Sequence, residues 1–229
     1  LMVLKAERGE LLLREELNKG VEEIRFMLKH SFGATLKFVT SNHDEHVDRW
    51  LKENRAIKKN DWHNQSIYHE LKMLVLEHKR KHRGSRLHAA ALYMLAQLTE
   101  KERARVEFIE RDQTVEHPVG IGAKEQIKLD MHGDKGISGA RGNIYSFANN
   151  AMRLVVGHTH GLAIFGPVWR VGTSTLLDLG YNDGPSNWTH THCVIFENGQ
   201  RMLINIVNGK WHMDSPHVEY KNGDFKVAA

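Results

Sequence analysis

Three short runs in the chain carry side chains that bind metals and move protons: Ser41-Asn42-His43-Asp44, His132-Gly133-Asp134 and Gly157-His158-Thr159-His160. Imidazole nitrogens and a neutral amide oxygen make a mixed N/O donor set, which suits manganese, iron or zinc better than calcium or magnesium. His158 and His160 are two residues apart. In an extended segment their side chains fall on one side and reach the same cluster, one ion each where two ions sit about 3.5–4 Å apart. Asn42 offers a carbonyl oxygen and His132 a third imidazole. His43 beside Asp44 reads as an oriented imidazole able to give a proton to a leaving oxygen. Singly, each run is a weak signal in a chain with 16 histidines. Thr189-His190-Thr191-His192 repeats the His-x-His spacing and is expected to be structural or on the surface. The weight lies in the ordered combination.

Each run directly follows a β-prone segment, at residues 35–40, 127–131 and 153–156, which places its polar groups at the carboxyl ends of strands, the usual position of α/β active sites. The rest of the pattern agrees with an α/β fold. Leu11, Leu12, Leu17, Val21, Ile24, Met27 and Leu28 recur at three- and four-residue steps, an amphipathic helix over about residues 8–30 that Gly33 ends. Residues 45–57 and 65–111 read as helical, with Leu71, Leu74, Val75 and His78 on one stripe. From about Gly120 glycines multiply and short β-prone runs alternate with turns. Further strands are expected at 168–171, 192–197 and 200–206, the last two joined at Asn198-Gly199, a dipeptide that favours a type I′ turn.

The composition sets the bounds. The chain has 229 residues, 41% hydrophobic and 26% charged, which is a globular balance. One cysteine, Cys193, excludes a disulfide framework and an all-thiolate zinc site. No apolar run reaches the length of a membrane span, and the first residues lack signal-peptide order, so a cytoplasmic setting is expected. The net charge of +4 is too small to argue a nucleic-acid partner by itself. It is unevenly spread: residues 52–111 hold 14 Lys and Arg against 8 Asp and Glu, a net +6. The densest part is Lys79, Arg80, Lys81, His82 and Arg83, with Arg86. Such a cluster reads either as a solvated helix face or as a surface that contacts phosphates.

Asn42-His43-Asp44, then His132, then Gly157-His158-Thr159-His160 together resemble the later motifs of the calcineurin-like metallophosphoesterases, over roughly residues 35–175. Ser41 stands where the family has glycine, which asks whether that turn needs a positive φ. The resemblance implies a β-sandwich flanked by helices, with residues 52–111 a basic helical insertion and residues 165–229 a C-terminal β-rich part. It implies two divalent ions, manganese first, with iron, zinc or magnesium as alternatives. Asn42, His132 and His158 are then ligands of one ion and His160 of the other. His43 protonates the leaving group or stabilises the transition state, and Asp44 holds it.

The family's two earlier motifs, which supply the bridging carboxylate and most first-metal ligands, are absent: residues 1–41 contain no aspartate. Asp130-Met131-His132 spells the first of them, but a circular permutation needs further motifs downstream that are not there. The chain is therefore expected to be the later part of a longer polypeptide, lacking the first strands of the sheet; the rival is a relative that has lost catalysis and serves as a scaffold. Retention of His43-Asp44 favours the former.

Within the superfamily the expected activity is a phosphodiesterase on nucleic acid, with DNA the expected partner, no membrane, and homo-oligomerisation open. The basic helices, Arg141 with Gly142 and Asn143 near His132, and a tail similar to phage and bacterial phosphoesterases, some of them DNases, point that way; a phage-encoded protein would act in the host cytoplasm. Lys79, Arg80, Lys81, Arg83 and Arg141 are the candidate phosphate contacts, and Tyr181 and Trp188 candidate stacking residues. The alternatives are a phosphomonoesterase for phosphoprotein or a small metabolite, and a scaffold.

Overall fold

A computed structural model describes residues 12–53, 61–111, 113–129, 131–149, 153–179, 184–212, 218–221 and 224–227. Asp130, Tyr181 and residues 1–11 lie outside them. The contacts divide the chain into two compact units, residues 1–113 and 114–229.

In the first unit, α1 (Leu13–His30) buries Leu17, Val21, Ile24 and Leu28. These fall on one face, as the spacing predicts. β1 (Leu36–Val39) and, much later, β2 (Val106–Ile109) form a parallel pair with Phe38 opposite Phe108, the rings stacked at 5.0 Å between centroids. Between them run α2 (Glu45–Lys52), α3 (Gln65–Lys81), α4 (Ala89–Gln97) and α5 (Glu100–Arg103). Parallel strands need such a crossover. The helical expectation for 65–111 is therefore corrected. The helices end at Arg103, and Val106-Glu107-Phe108-Ile109, a β-branched and aromatic run, joins the sheet because β1 supplies its partner. Leu71 and Ala89, from α3 and α4, are fully buried in the core that also takes Leu17.

In the second unit β3 (Glu116–Val119), β4 (Glu125–Lys128), α6 (Ile144–Ala148), β5 (Leu154–Val156), β6 (Ala163–Phe165) and β7 (Val168–Arg170) build a five-stranded sheet in the order β3-β4-β5-β7-β6. β4, β5 and β7 run parallel, and the outer strands are antiparallel. Leu154, Val156 and Val168 pack against Ile144 and Phe147 of α6, and Met131 joins that cluster. β8 (His190–Ile195), β9 (Arg201–Val207) and β10 (Lys210–His212) form an antiparallel sheet. β11 (Val218–Lys221) pairs with β12 (Asp224–Val227). The fold class is mixed α/β.

The turn expected at Asn198-Gly199 is a different one. Gly199 has φ +82° but Asn198 is not left-handed. Phe196 N–H donates to Gln200 O and Gly199 N–H to Phe196 O, which gives a three-residue loop closed by a left-handed glycine. The type I′ conformation forms instead at Asn208-Gly209, where both φ values are positive (+51° and +74°) and Val207 pairs with Lys210.

The amino end of α4 is held by buried polar groups. The His88 ring accepts at Nδ1 from Ala91 N–H (3.1 Å), and the Asp48 carboxylate accepts from Ala89 N–H (3.1 Å). His88 must be neutral at Nδ1 to accept, and burial holds its pKa below the ordinary 6.5. As pH falls below 6.5 the unfolded chain takes up a proton that the folded state refuses, so stability present above that pH is lost below it. His46 and His78 are lowered by burial and act with the same sign. Thermal unfolding of the first unit should therefore lose stability from His88 as pH falls from about 7 to about 5.5. His88→Asn, which keeps a cap acceptor, should flatten that slope; an equal slope in the variant removes His88 from the linkage.

Candidate metal centre

In the first unit the motif begins where β1 stops. Thr40 is buried, and its hydroxyl donates to Ile109 O (2.7 Å), which pins the end of β1 to the end of β2. Ser41 and Asp44 then brace one another. Ser41 N–H donates to Asp44 Oδ2 (2.7 Å), and the Ser41 hydroxyl accepts from the N–H groups of His43 (3.2 Å) and Asp44 (3.3 Å). This reciprocal arrangement has the logic of a capping box leading into α2. It accounts for serine in place of glycine: Ser41 is not left-handed, and its hydroxyl does work that glycine has no group to do.

It also changes the role expected of Asp44. One carboxylate oxygen is committed to the backbone of Ser41, and His43 instead packs its ring 5.4 Å from that of His46. His43 itself is exposed. Asn42 Oδ1 is buried and accepts no hydrogen bond from the described residues. A buried carbonyl oxygen left unmatched calls for an explanation, and a cation is one.

In the second unit Met131 is drawn into the core, which fixes His132 beside it, and His132 O accepts from Gly157 N–H (2.9 Å). His158 follows β5. Its Nδ1 lies 3.3 Å from His132 Nε2, with the rings nearly perpendicular at 74°. Two imidazole nitrogens bound at about 2.0–2.1 Å to one tetrahedral ion stand a little over 3 Å apart. The contact is a hydrogen bond in which one ring N–H donates to the other ring nitrogen, and its length is also that of two imidazole nitrogens sharing one tetrahedral ion.

The extended conformation expected for His158-Thr159-His160 is corrected. Both histidines are left-handed, with φ +73° and +62°, and Thr159 N–H donates back to Gly157 O (3.0 Å) around His158. A left-handed residue with a Cβ costs about 1–2 kcal/mol, and such outliers gather at functional sites. The side chains consequently diverge. His158 meets His132, while His160 stands edge-on to Trp188 at 4.2 Å between centroids. Among the described residues no three His, Cys, Asp or Glu side chains converge on a metal position. Two imidazoles are brought together, and His160 is not with them.

The supports of this turn carried little sequence signal. Gly133 is left-handed (φ +108°), and a Cβ there would press on Gly157 O at 3.2 Å. A Cβ on Gly142 would collide with Gly133 O, so the segment 133–142 folds tightly back on itself. Its ends meet at the Lys135–Arg141 bridge, which leaves Arg141 exposed. Asn143 caps α6 by accepting from Tyr145 N–H (2.8 Å). Thr189 N–H donates to His160 O (2.9 Å), and a Cβ on Gly161 would meet Asn187 O at 2.6 Å. Residues 187–189 therefore strap the His160 loop. Trp188, a candidate for stacking on bases, packs on His160. His190 and His192 lie on β8; the His190 ring bonds to Thr175 O (2.7 Å) and His192 is exposed. Lys79, Arg80, Lys81 and Arg83 are exposed, the first three in the last turn of α3.

The chain is similar to a protein of Escherichia phage T5 named Protein A1, with 34% identity over 184 residues. The alignment covers 80% of this chain and 31% of that protein, so the chain spans about a third of the relative's length. No protein-family profile matches the chain, and no solved structure does. No helix among the described residues is long and apolar enough to cross a membrane.

Proposed function

We propose that the chain is part of a metal-dependent phosphodiesterase of the calcineurin-like type that hydrolyses nucleic acid, DNA in the first place. The observation that carries this reading is the convergence of His132 Nε2 and His158 Nδ1 at 3.3 Å, held by a left-handed turn at the carboxyl end of β5. Imidazole donors suit manganese, iron or zinc better than calcium or magnesium; separately, within the first unit, Asn42 Oδ1 is buried and accepts no hydrogen bond from the described residues.

In this reading His132 and His158 would hold one divalent ion and His160 would serve a second. Divalent ions bound there supply Lewis-acid charge at the phosphorus. The chain's own residues do the rest. His43, exposed at the head of α2, gives its proton to the departing oxygen. The Ser41–Asp44 brace holds the backbone that carries it. The exposed cations at the end of α3 draw the polyanion in, although the same placement also suits the helix dipole.

Manganese titration by calorimetry should lose at least about tenfold in affinity in both His132→Ala and His158→Ala, as loss of a ligand implies. Plasmid cleavage by the complete protein should disappear in these variants and in His43→Ala, the last with its manganese affinity unchanged. Brisk turnover of p-nitrophenyl phosphate without DNA cleavage would move the assignment to a phosphomonoesterase, and wild-type metal affinity in both histidine variants would remove the site. Separately, changing Lys79, Arg80 and Lys81 together to Ala should flatten the salt dependence of duplex DNA binding by roughly 2–3 units of log–log slope. An unchanged slope removes that surface.

A further inference from the structure

At the amino end of β5, about 10 Å of strand from the histidine pair, a groove of about 550 Å³ is lined by Arg153, Trp169, Phe196, Gln200 and Arg201, among others. Its two guanidinium groups are held by the fold. Arg201 Nη1 donates to Leu154 O and Pro167 O (both 2.9 Å), and its guanidinium carbon stands 4.6 Å over the Trp169 ring. Arg153 pairs with Glu125 and donates from Nη2 to Gly199 O. Gly199 makes this approach possible, because a Cβ there would stand 3.3 Å from Arg153 Nη1. The hairpin turn that the sequence announced as Asn198-Gly199 is thus the seat of one wall.

Three features point to an anion with a planar ring. Arg201 has no carboxylate partner among the described residues, and its remaining nitrogens make no hydrogen bond there. Half-buried, it faces Arg153 as a like charge, and burial and that neighbour both lower its pKa, as expected of a guanidinium held without a counter-ion. No acidic residue lines the groove, so once Glu125 has offset Arg153 a positive charge remains. Trp169 and the exposed Phe196 offer aromatic surface beside it, and Gln200 offers an amide. A guanidinium fork matches phosphate oxygens two at a time, and aromatic faces take bases irrespective of identity.

We infer that this groove, formed by Arg153, Arg201, Trp169, Phe196 and Gln200, binds a nucleotide, its phosphate on the Arg201 guanidinium and its base against the aromatic side chains. The nucleotide is either free or the 5′-phosphorylated end of a strand. The inference stands apart from the histidine pair.

Calorimetry of the full chain in EDTA tests it, using deoxyadenosine monophosphate, inorganic phosphate, deoxyadenosine, and a short single strand with and without a 5′-phosphate. The monophosphate should bind about tenfold or more tightly than phosphate or the nucleoside alone. Tighter binding of the phosphorylated strand assigns the groove to a strand end, and tighter binding of the free nucleotide assigns it to that. Arg201→Lys should weaken binding about tenfold. Because Arg201 also ties down two carbonyls, Gln200→Glu is the second variant. It keeps the acceptor for Asn198 Nδ2 on an exposed side chain and adds a like charge to the ligand. No binding in EDTA, a requirement for manganese, or unchanged affinity in folded Gln200→Glu would each overturn the inference.

Discussion

The second unit turns on the backbone at His158. A positive φ is uncommon for any residue with a Cβ, histidine included, and His158 holds φ +73° among surroundings that leave it little choice. β5 ends in a filled core, with Leu154 fully buried and Val156 nearly so. Gly157 N–H is taken by His132 O, Thr159 N–H closes on Gly157 O, and the backbone of Gly133 leaves no room on the other side. These contacts together offset a strain of about 1–2 kcal/mol. What the strain secures is the position of one ring nitrogen opposite another at 3.3 Å. Without the turn, His158 and His160 would lie along one side of an extended strand, and His132 would face neither in this way.

Much of the framework was legible because it rests on local patterns. The face of α1, the strands at 36–39, 154–156 and 168–170, and the long hairpin of β8 and β9 follow periodicity and β-branched runs. What was not legible depends on partners far along the chain. Val106-Glu107-Phe108-Ile109 follows a helical stretch closely, and only pairing with β1, across the whole helical crossover, makes it a strand. The two Asn-Gly pairs show the same limit within one hairpin system. At 208–209 the flanking residues pair directly and the type I′ turn forms. At 198–199 the loop takes one more residue and only the glycine is left-handed.

For the candidate site, the sequence located the motif residues at strand ends but misjudged how they point. The alternation rule assumes an extended backbone, and two left-handed residues break it. Asp44 sits beside His43 in sequence, yet its carboxylate is used three residues back, on Ser41. Trp188, a base-stacking candidate in a Gly/Pro loop where aromatic residues more often pack locally, does pack locally, on His160. Gly133, Gly142 and Gly161 gave no signal beyond being glycines; their meaning is steric and appears only when a missing Cβ is placed against its neighbour. The positive residues divide in kind as well. Those ending α3 are solvent-facing and suited to diffuse attraction, whereas Arg201 is half-buried, fixed by two carbonyls and stacked on an indole, as selective recognition requires.

Whether His132 and His158 share one cation can be read directly from their ring nitrogens. Nitrogen-15 spectra of the histidine side chains, followed through a zinc titration, report which nitrogen of each ring binds. A shared ion predicts that His158 Nδ1 and His132 Nε2 move together to the metal-bound position with one stoichiometry, the opposite nitrogen of each ring carrying the proton. Movement of one ring alone, or binding through the other nitrogens, would contradict it.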